Sequence, residues 1–158
     1  MVSLICLWMK LIRKLKQQER MQRIIIDTNV LVSALIQKSY PYFVVSDIFL
    51  DRNIEWCISD EVLKEYHNVL KRDKFSKYPG FTARAESILA SIEEIATLFT
   101  PKIRLTIIND PNDNRFIELA DESKADFLIT GNTADFTFRN YKQPQIVSPK
   151  EYWETYRK

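Results

Sequence analysis

Arg23-Ile24-Ile25-Ile26-Asp27-Thr28-Asn29-Val30-Leu31 decides the reading of this chain. A run of β-branched isoleucines suits a strand buried on both faces better than a helix. The run stops at a carboxylate. Thr28 and Asn29 can then cap a helix whose apolar residues begin at Val30 and Leu31. An Asp at the C-terminal end of a buried parallel strand points into the crevice where open α/β sheets bind ligands. From this stretch alone Asp27 is either a helix cap or a ligand, and the choice turns on whether other carboxylates converge on it.

Outward from that stretch, strand and helix signals alternate. Val30 to Ile36 read as a short helix, and Pro41 opens a second with Phe43, Val44, Ile48, Phe49 and Leu50. Ile54-Glu55-Trp56-Cys57-Ile58 predicts a strand, after which Ser59 caps a helix with Asp60 and Glu61 in its first turn. Val62, Leu63, Tyr66, Val69 and Leu70 form the apolar stripe of that helix. At about 100° per residue, Glu65 falls on the stripe's margin and Glu61 about 40° further outward. Of the two, Glu65 is the better candidate to face a cleft.

Further on, Thr82 is expected to cap a long amphipathic helix with Ile88, Leu89, Ile92, Ile95, Ala96 and Phe99 on its apolar side, and Ile103 to Ile108 are expected to be extended. Asp110 before Pro111 has the form of a cap and first turn. Asp113, Phe116, Ile117 and Ala120 then share a helix face, a costly place for an unneeded charge. An acidic first turn favoured by the helix dipole accounts for Asp110 fully and for Asp113 in part. Asp126-Phe127-Leu128-Ile129-Thr130 predicts another buried strand, ending at Gly131-Asn132-Thr133-Ala134-Asp135-Phe136. Gln145 to Ser148 form a short strand, and Pro149 opens a terminal helix in which Tyr152, Trp153 and Tyr156 pack back on the sheet. Such alternation indicates a three-layer α/β/α domain.

Composition narrows the chemistry. A chain of 158 residues, 46% hydrophobic and 28% charged, is one soluble globular domain with a single core. Its formal charge of +2 does not establish a nucleic-acid partner, though it permits a basic patch beside an acidic pocket. Gly80 and Gly131 are the only glycines, which excludes a glycine-rich phosphate loop. His67 is the only histidine, so a zinc cluster is implausible and a hydroxyl–His–carboxylate triad would have to run through a residue that reads as surface. Cys6 and Cys57 give no disulfide framework and fit a reducing cytoplasm. Carboxylate is what remains in quantity, and carboxylate clusters suit hard cations. Lys71, Arg72, Lys74 and Lys77 form either a solvated surface or, beside a nuclease site, a phosphate-contact patch.

Residues 1–20 differ from residues 21–158. An apolar run from Val2 to Met9 precedes Lys10, Arg13, Lys14, Lys16 and Arg20, the reverse of a secretory signal, and it is too short to cross a bilayer. Leu4, Trp8, Leu11, Ile12 and Leu15 fall at helical spacing opposite basic residues, as in a helix for a membrane surface or a protein partner. The other reading is an upstream start, with Met21 as the natural beginning. It is the preferred one, because the fold pattern needs nothing before Arg23.

Asp27, Glu65, Asp113 and Asp135 are thus delivered by separate segments to one predicted sheet edge. Carboxylates about 4 Å apart repel by roughly 4 kcal/mol at an effective dielectric of 20, so such a cluster holds either protons or a divalent cation. A cation there would polarise a phosphoryl oxygen and activate water for attack on a phosphodiester. Ile25-Ile26-Asp27-Thr28-Asn29-Val30-Leu31, Ser59 through Glu65-Tyr66, Asp110-Pro111-Asn112-Asp113-Asn114 and Thr130-Gly131-Asn132-Thr133-Ala134-Asp135-Phe136 resemble, in order, the successive motifs of PIN-domain proteins. The resemblance spans residues 22–152 and is nearest to the VapC-like ribonucleases, toxin components of prokaryotic toxin–antitoxin systems; Ile146-Val147-Ser148-Pro149-Lys150-Glu151-Tyr152 fits that subgroup too.

The resemblance implies a five-stranded parallel sheet and an endoribonuclease dependent on Mg²⁺ or Mn²⁺. It assigns Asp27, Glu65 and Asp113 as metal ligands and Asp135 as the fourth acid. Thr28 or Asn29 would orient Asp27 or the substrate phosphate. Many relatives carry Asp where this chain has Asn132, so Asn132 becomes a neutral oxygen donor or substrate contact, and a second metal site is weakened. Expected partners are RNA, a protein antitoxin and a second copy of the chain. The competing expectation is a non-catalytic RNA-binding or scaffold PIN domain. A flap-type DNA nuclease lacks its helical arch here, and an Asp-nucleophile phosphatase lacks its second Asp and partner lysine.

Overall fold

β-Branched runs become the interior of a five-stranded parallel sheet, order β3-β2-β1-β4-β5. In the computed structural model, residues 3–19, 21–105, 111–136 and 144–157 are described. The strands are β1 (Gln22–Ile26), β2 (Ile54–Ile58), β3 (Thr97–Leu98), β4 (Phe127–Ile129) and β5 (Gln145–Val147). Helices α1 (Leu4–Glu19), α2 (Thr28–Ile36), α3 (Tyr40–Leu50), α4 (Asp60–Leu70), α5 (Phe81–Ile95), α6 (Pro111–Ser123) and α7 (Pro149–Glu151) complete the chain, α7 running on as a π-helical turn over Tyr152–Tyr156. The fold is the expected three-layer α/β/α arrangement.

The sheet order positions the site. From the central β1 the chain winds outward through β2 to β3, then returns to β4 on the other side. The direction therefore reverses between β1 and β4, and the crevice at the C-terminal ends of those strands is where such sheets bind ligands. Ile26 pairs with Ile129, which sets Asp27 beside Thr130 across that crevice. Ile24, Ile25 and Ile26 are fully buried. Each such buried aliphatic side chain contributes about 1.5–3 kcal/mol, so the strand is firmly anchored.

Local signals account for some helix starts. The Ser59 hydroxyl accepts from Val62 N–H at 3.2 Å, and the Ser148 hydroxyl accepts from Glu151 N–H at 3.1 Å. Helix α5, by contrast, starts at Phe81 rather than after a Thr82 cap. Gly80, at φ 72°, turns the chain in the left-handed region and lets buried Phe81 open the helix. The same helix stops at Ile95, short of Ala96 and Phe99, and the edge strand follows at once as Thr97–Leu98. Residues 103–105 are not strand; Leu105 N–H donates instead to the Glu118 carboxylate at 2.8 Å. Residues 106–108 and Asp110 lie outside the described residues.

Candidate active site

Asp27 stands at the N-cap position of α2, yet its carboxylate makes no cap hydrogen bond. Its own N–H donates to Ile129 O at 2.9 Å, prolonging the β1–β4 ladder by one residue. The carboxylate turns to Thr130, whose hydroxyl donates to Asp27 Oδ2 at 2.7 Å. Thr130 is held in turn by N–H donation to Val147 O at 2.9 Å, and its Oγ1 accepts from Asn132 N–H at 3.0 Å. A relay therefore runs from the loop after β4 through Thr130 to Asp27. Asn132 enters it through its backbone, while its side chain is exposed.

Asp27 is 5% exposed. Burial raises its pKa above the usual carboxylate range, against the lowering effects of the Thr130 hydroxyl and the nearby Thr28 and Asn29 N–H groups. The charge of Asp135 raises it further. Asp135 lies in the 3₁₀ turn Thr133–Phe136, which buried Phe136 anchors and in which Asp135 N–H donates to Asn132 O at 3.1 Å. Thr28 Oγ1 is buried and has no hydrogen-bond partner among the described residues, which is also true of Trp56 Nε1 and Ser123 Oγ.

The other two candidate acids ride on helices. Glu65, half-buried on α4, precedes Tyr66, a fully buried ring whose hydroxyl donates to Ile26 O. That bond ties α4 to the residue before Asp27. The Tyr66 ring also meets Phe116 of α6 at 6.4 Å, and α6 carries half-buried Asp113 in its first turn. Phe116, Ile117 and Ala120 are buried, so Asp113 does lead a core-facing row. The charge of Asp135 reaches Asp27, while Glu65 and Asp113 are carried by α4 and α6. Among the described residues, no three His, Cys, Asp or Glu side chains lie close enough to hold a metal ion.

A family model described as PIN domain matches residues 23–134. The chain belongs to the PIN-domain family. The uncharacterized protein MJ1680 of Methanocaldococcus jannaschii is 30% identical over 144 residues, 86% of this chain and 92% of that protein. A chain in the crystal structure of VapBC2 from Rickettsia felis, bound to a DNA fragment from their promoter, superposes with a TM-score of 0.53 over 80% of this chain and 98% of that one. At 19% identity that likeness is one of fold.

Three features of this PIN domain escaped the sequence reading. Thr130 looked like an ordinary β-former, Tyr66 like core, and Glu118 was not singled out. Glu118 is 2% exposed and accepts from Leu105 N–H, from Arg104 at 3.3 Å and from Arg115. Arg104 also reaches Glu61 at 2.6 Å, which holds the Glu61 carboxyl below its usual pKa. Glu61 is thus committed to an ion pair. His67 is paired with Glu93 on the surface at 2.8 Å. Lys71, Arg72, Lys74 and Lys77 are exposed, with Lys74 over the Phe75 ring and Lys77 over the Tyr78 ring.

Proposed function

We propose that this PIN domain is a metal-dependent endoribonuclease, the toxin of a toxin–antitoxin pair. The observation that carries the reading is Asp27, a buried carboxylate at the C-terminal end of β1 that the Thr130 hydroxyl holds within reach of the Asp135 charge. Family membership supports it, since PIN domains are typically nucleases. The toxin role rests on the fold shared with VapBC2. It implies a protein antitoxin, with RNA as substrate, a homodimer as the working form and the cytoplasm as the place of action.

The donor set fits a hard divalent cation. Its members are carboxylates, one of them buried with a raised pKa beside a second negative charge, and an unpartnered threonine hydroxyl lies alongside. Asp27, Glu65, Asp113 and Asp135 would hold Mg²⁺ or Mn²⁺. When bound, the cation supplies polarisation of the phosphoryl oxygen and activation of water. Thr130 fixes the Asp27 carboxylate, and the Asn132 backbone fixes Thr130. Thr28 and Asn29, at the positive end of α2, favour a phosphate oxygen there. The exposed basic run 71–77 suits single-stranded RNA, with lysines for phosphates beside aromatic rings that stack on bases.

Purified protein with Mn²⁺ or Mg²⁺, set against folded and unstructured RNAs and compared with Asp27→Asn, tests the reading. Equal survival of RNA with both proteins refutes it. The second reading, a non-catalytic RNA-binding or scaffold domain, is favoured by Asn132 and by the lack of a three-carboxylate group among the described residues. Calorimetry separates the two: the nuclease binds Mn²⁺ in a manner that Asp113→Asn weakens, and the scaffold does not.

A further inference from the structure

Helix α1 carries Leu4, Ile5, Leu7, Trp8, Met9, Leu11, Ile12 and Leu15, each between 44% and 74% exposed. None of them belongs to the hydrophobic core or to the residues packed against it. An isolated helix of this length is marginal in water, so an uncovered apolar face of this size marks an interaction surface. At about 100° per residue these side chains sweep an arc of about 200°. That is wider than the ~100° stripe by which a helix packs on one protein surface, and it suits a continuous apolar phase.

Charge identifies the phase. Lys10, Arg13 and Lys14 occupy the opposite face, Lys16 follows, and no acidic residue occurs before Glu19. A second copy of α1, packed along one seam, would leave much of the ~200° arc uncovered and would bring the basic face no counter-charge. The cavity of about 600 Å³ between α2, α3 and α5, lined by Lys38 and Arg84, offers these cations no counter-charge either. Anionic lipid headgroups complement them. The helix rises about 24 Å in all, short of a hydrocarbon core of about 30 Å, so it lies in the interface rather than across it. No helix among the described residues is long and apolar enough to cross a membrane.

We propose that α1 docks the protein on an anionic lipid surface, lying in the plane of the membrane with its apolar arc buried and Lys10, Arg13 and Lys14 at the headgroups. This takes the first of the two readings of residues 1–20 and leaves residues 21–158 as the nuclease unit. It does not depend on the nuclease reading.

The test is sedimentation of the full chain with vesicles of phosphatidylcholine alone or mixed equally with phosphatidylglycerol. Binding should be at least about tenfold tighter to the mixed vesicles and should fall as salt rises, since each basic residue near an anionic surface is worth about fivefold. Trp8 is 58% exposed while Trp56 is buried, so tryptophan emission should shift to the blue on binding, and Trp8→Phe should remove most of the shift. Leu11→Glu should abolish binding and leave the melting midpoint unchanged. Should Leu11→Glu perturb folding, the doubly exposed pair Lys10→Glu and Lys14→Glu carries the test, with an expected loss of at least about twenty-five-fold.

Equal binding to both vesicle types, no binding to either, or binding untouched by these variants overturns the proposal. So does self-association that Leu11→Glu abolishes without any vesicle binding, which would make a second copy the occupant. A native N-terminal peptide that begins at Met21 overturns it too.

Discussion

Asp27 and Asp135 hang from the strand side of the crevice, where a ladder bond to Ile129, the Thr130 hydroxyl and the Asn132 amide fix the backbone and the carboxylate together. Glu65 and Asp113 ride on α4 and α6, which meet through the Tyr66 and Phe116 rings and are braced by buried Glu118. Strand register allows no intermediate settings, because a slip of one residue reverses every side chain. Helix packing by rings and ion pairs tolerates small displacements. On the proposed nuclease reading, the strand side sets where the chemistry occurs, and the helix side sets whether its acids close on that point.

The largest expected effect comes from the strand side. Asp27→Asn should lower RNA cleavage by about a hundredfold to a thousandfold, the scale of removing one preorganised electrostatic group. Stability should move the other way. A carboxyl whose pKa is raised on folding costs nothing below its unfolded pKa and opposes folding once pH passes its folded value. In metal-free buffer, urea unfolding from acid to neutral pH should show wild type losing stability relative to Asp27→Asn across that window. Parallel curves would remove the burial effect.

Breaking the helix side should cost less activity and more stability. Glu118→Ala takes away the acceptor of a backbone N–H and of two arginines, a loss of about 3 kcal/mol in urea unfolding. The same variant should weaken Mn²⁺ binding without altering the pH effect of Asp27. Thr130→Val should lower cleavage about tenfold at neutral pH and shift its pH profile upward, because the hydroxyl that favours the Asp27 charge is gone. Tyr66→Phe, which deletes the bond to Ile26 O, should cost about 1 kcal/mol.

The smallest effect is a labelling rate. Burial pushes the Cys57 thiol up to about 12, so a thiol reagent at mildly alkaline pH should modify exposed Cys6 and spare Cys57 until β2 opens. Equal labelling of both would show that β2 is open in the native state.

Much of this architecture was legible because local and tertiary preferences agree. Ile24, Ile25 and Ile26 have one comfortable conformation, and Ser59 and Ser148 cap where they stand. Thr82 misled because a left-handed glycine can begin a helix without a side-chain cap. The strand Thr97–Leu98 is too short and too exposed to leave a pattern. Ile103, Arg104 and Leu105 alternate like a strand, but the Leu105 amide is spent on Glu118. Glu118 itself was hidden because α6 is buried nearly all round, with Asn114 and Leu119 inside as well as the expected row. In the candidate site, Asp27 was legible as the acid that ends an apolar run. Thr130 did not, since a hydroxyl in a strand looks the same whether it serves a ladder or a carboxylate.

Pairing β1 with β4 also has a consequence for synthesis. Asp27 and its partner Thr130 are 103 residues apart, and Thr130 in turn needs Val147. On the ribosome the chain makes its first acid early and its support last, so an emerging chain carries no finished crevice. A crevice put together in that order is complete only when translation is nearly done.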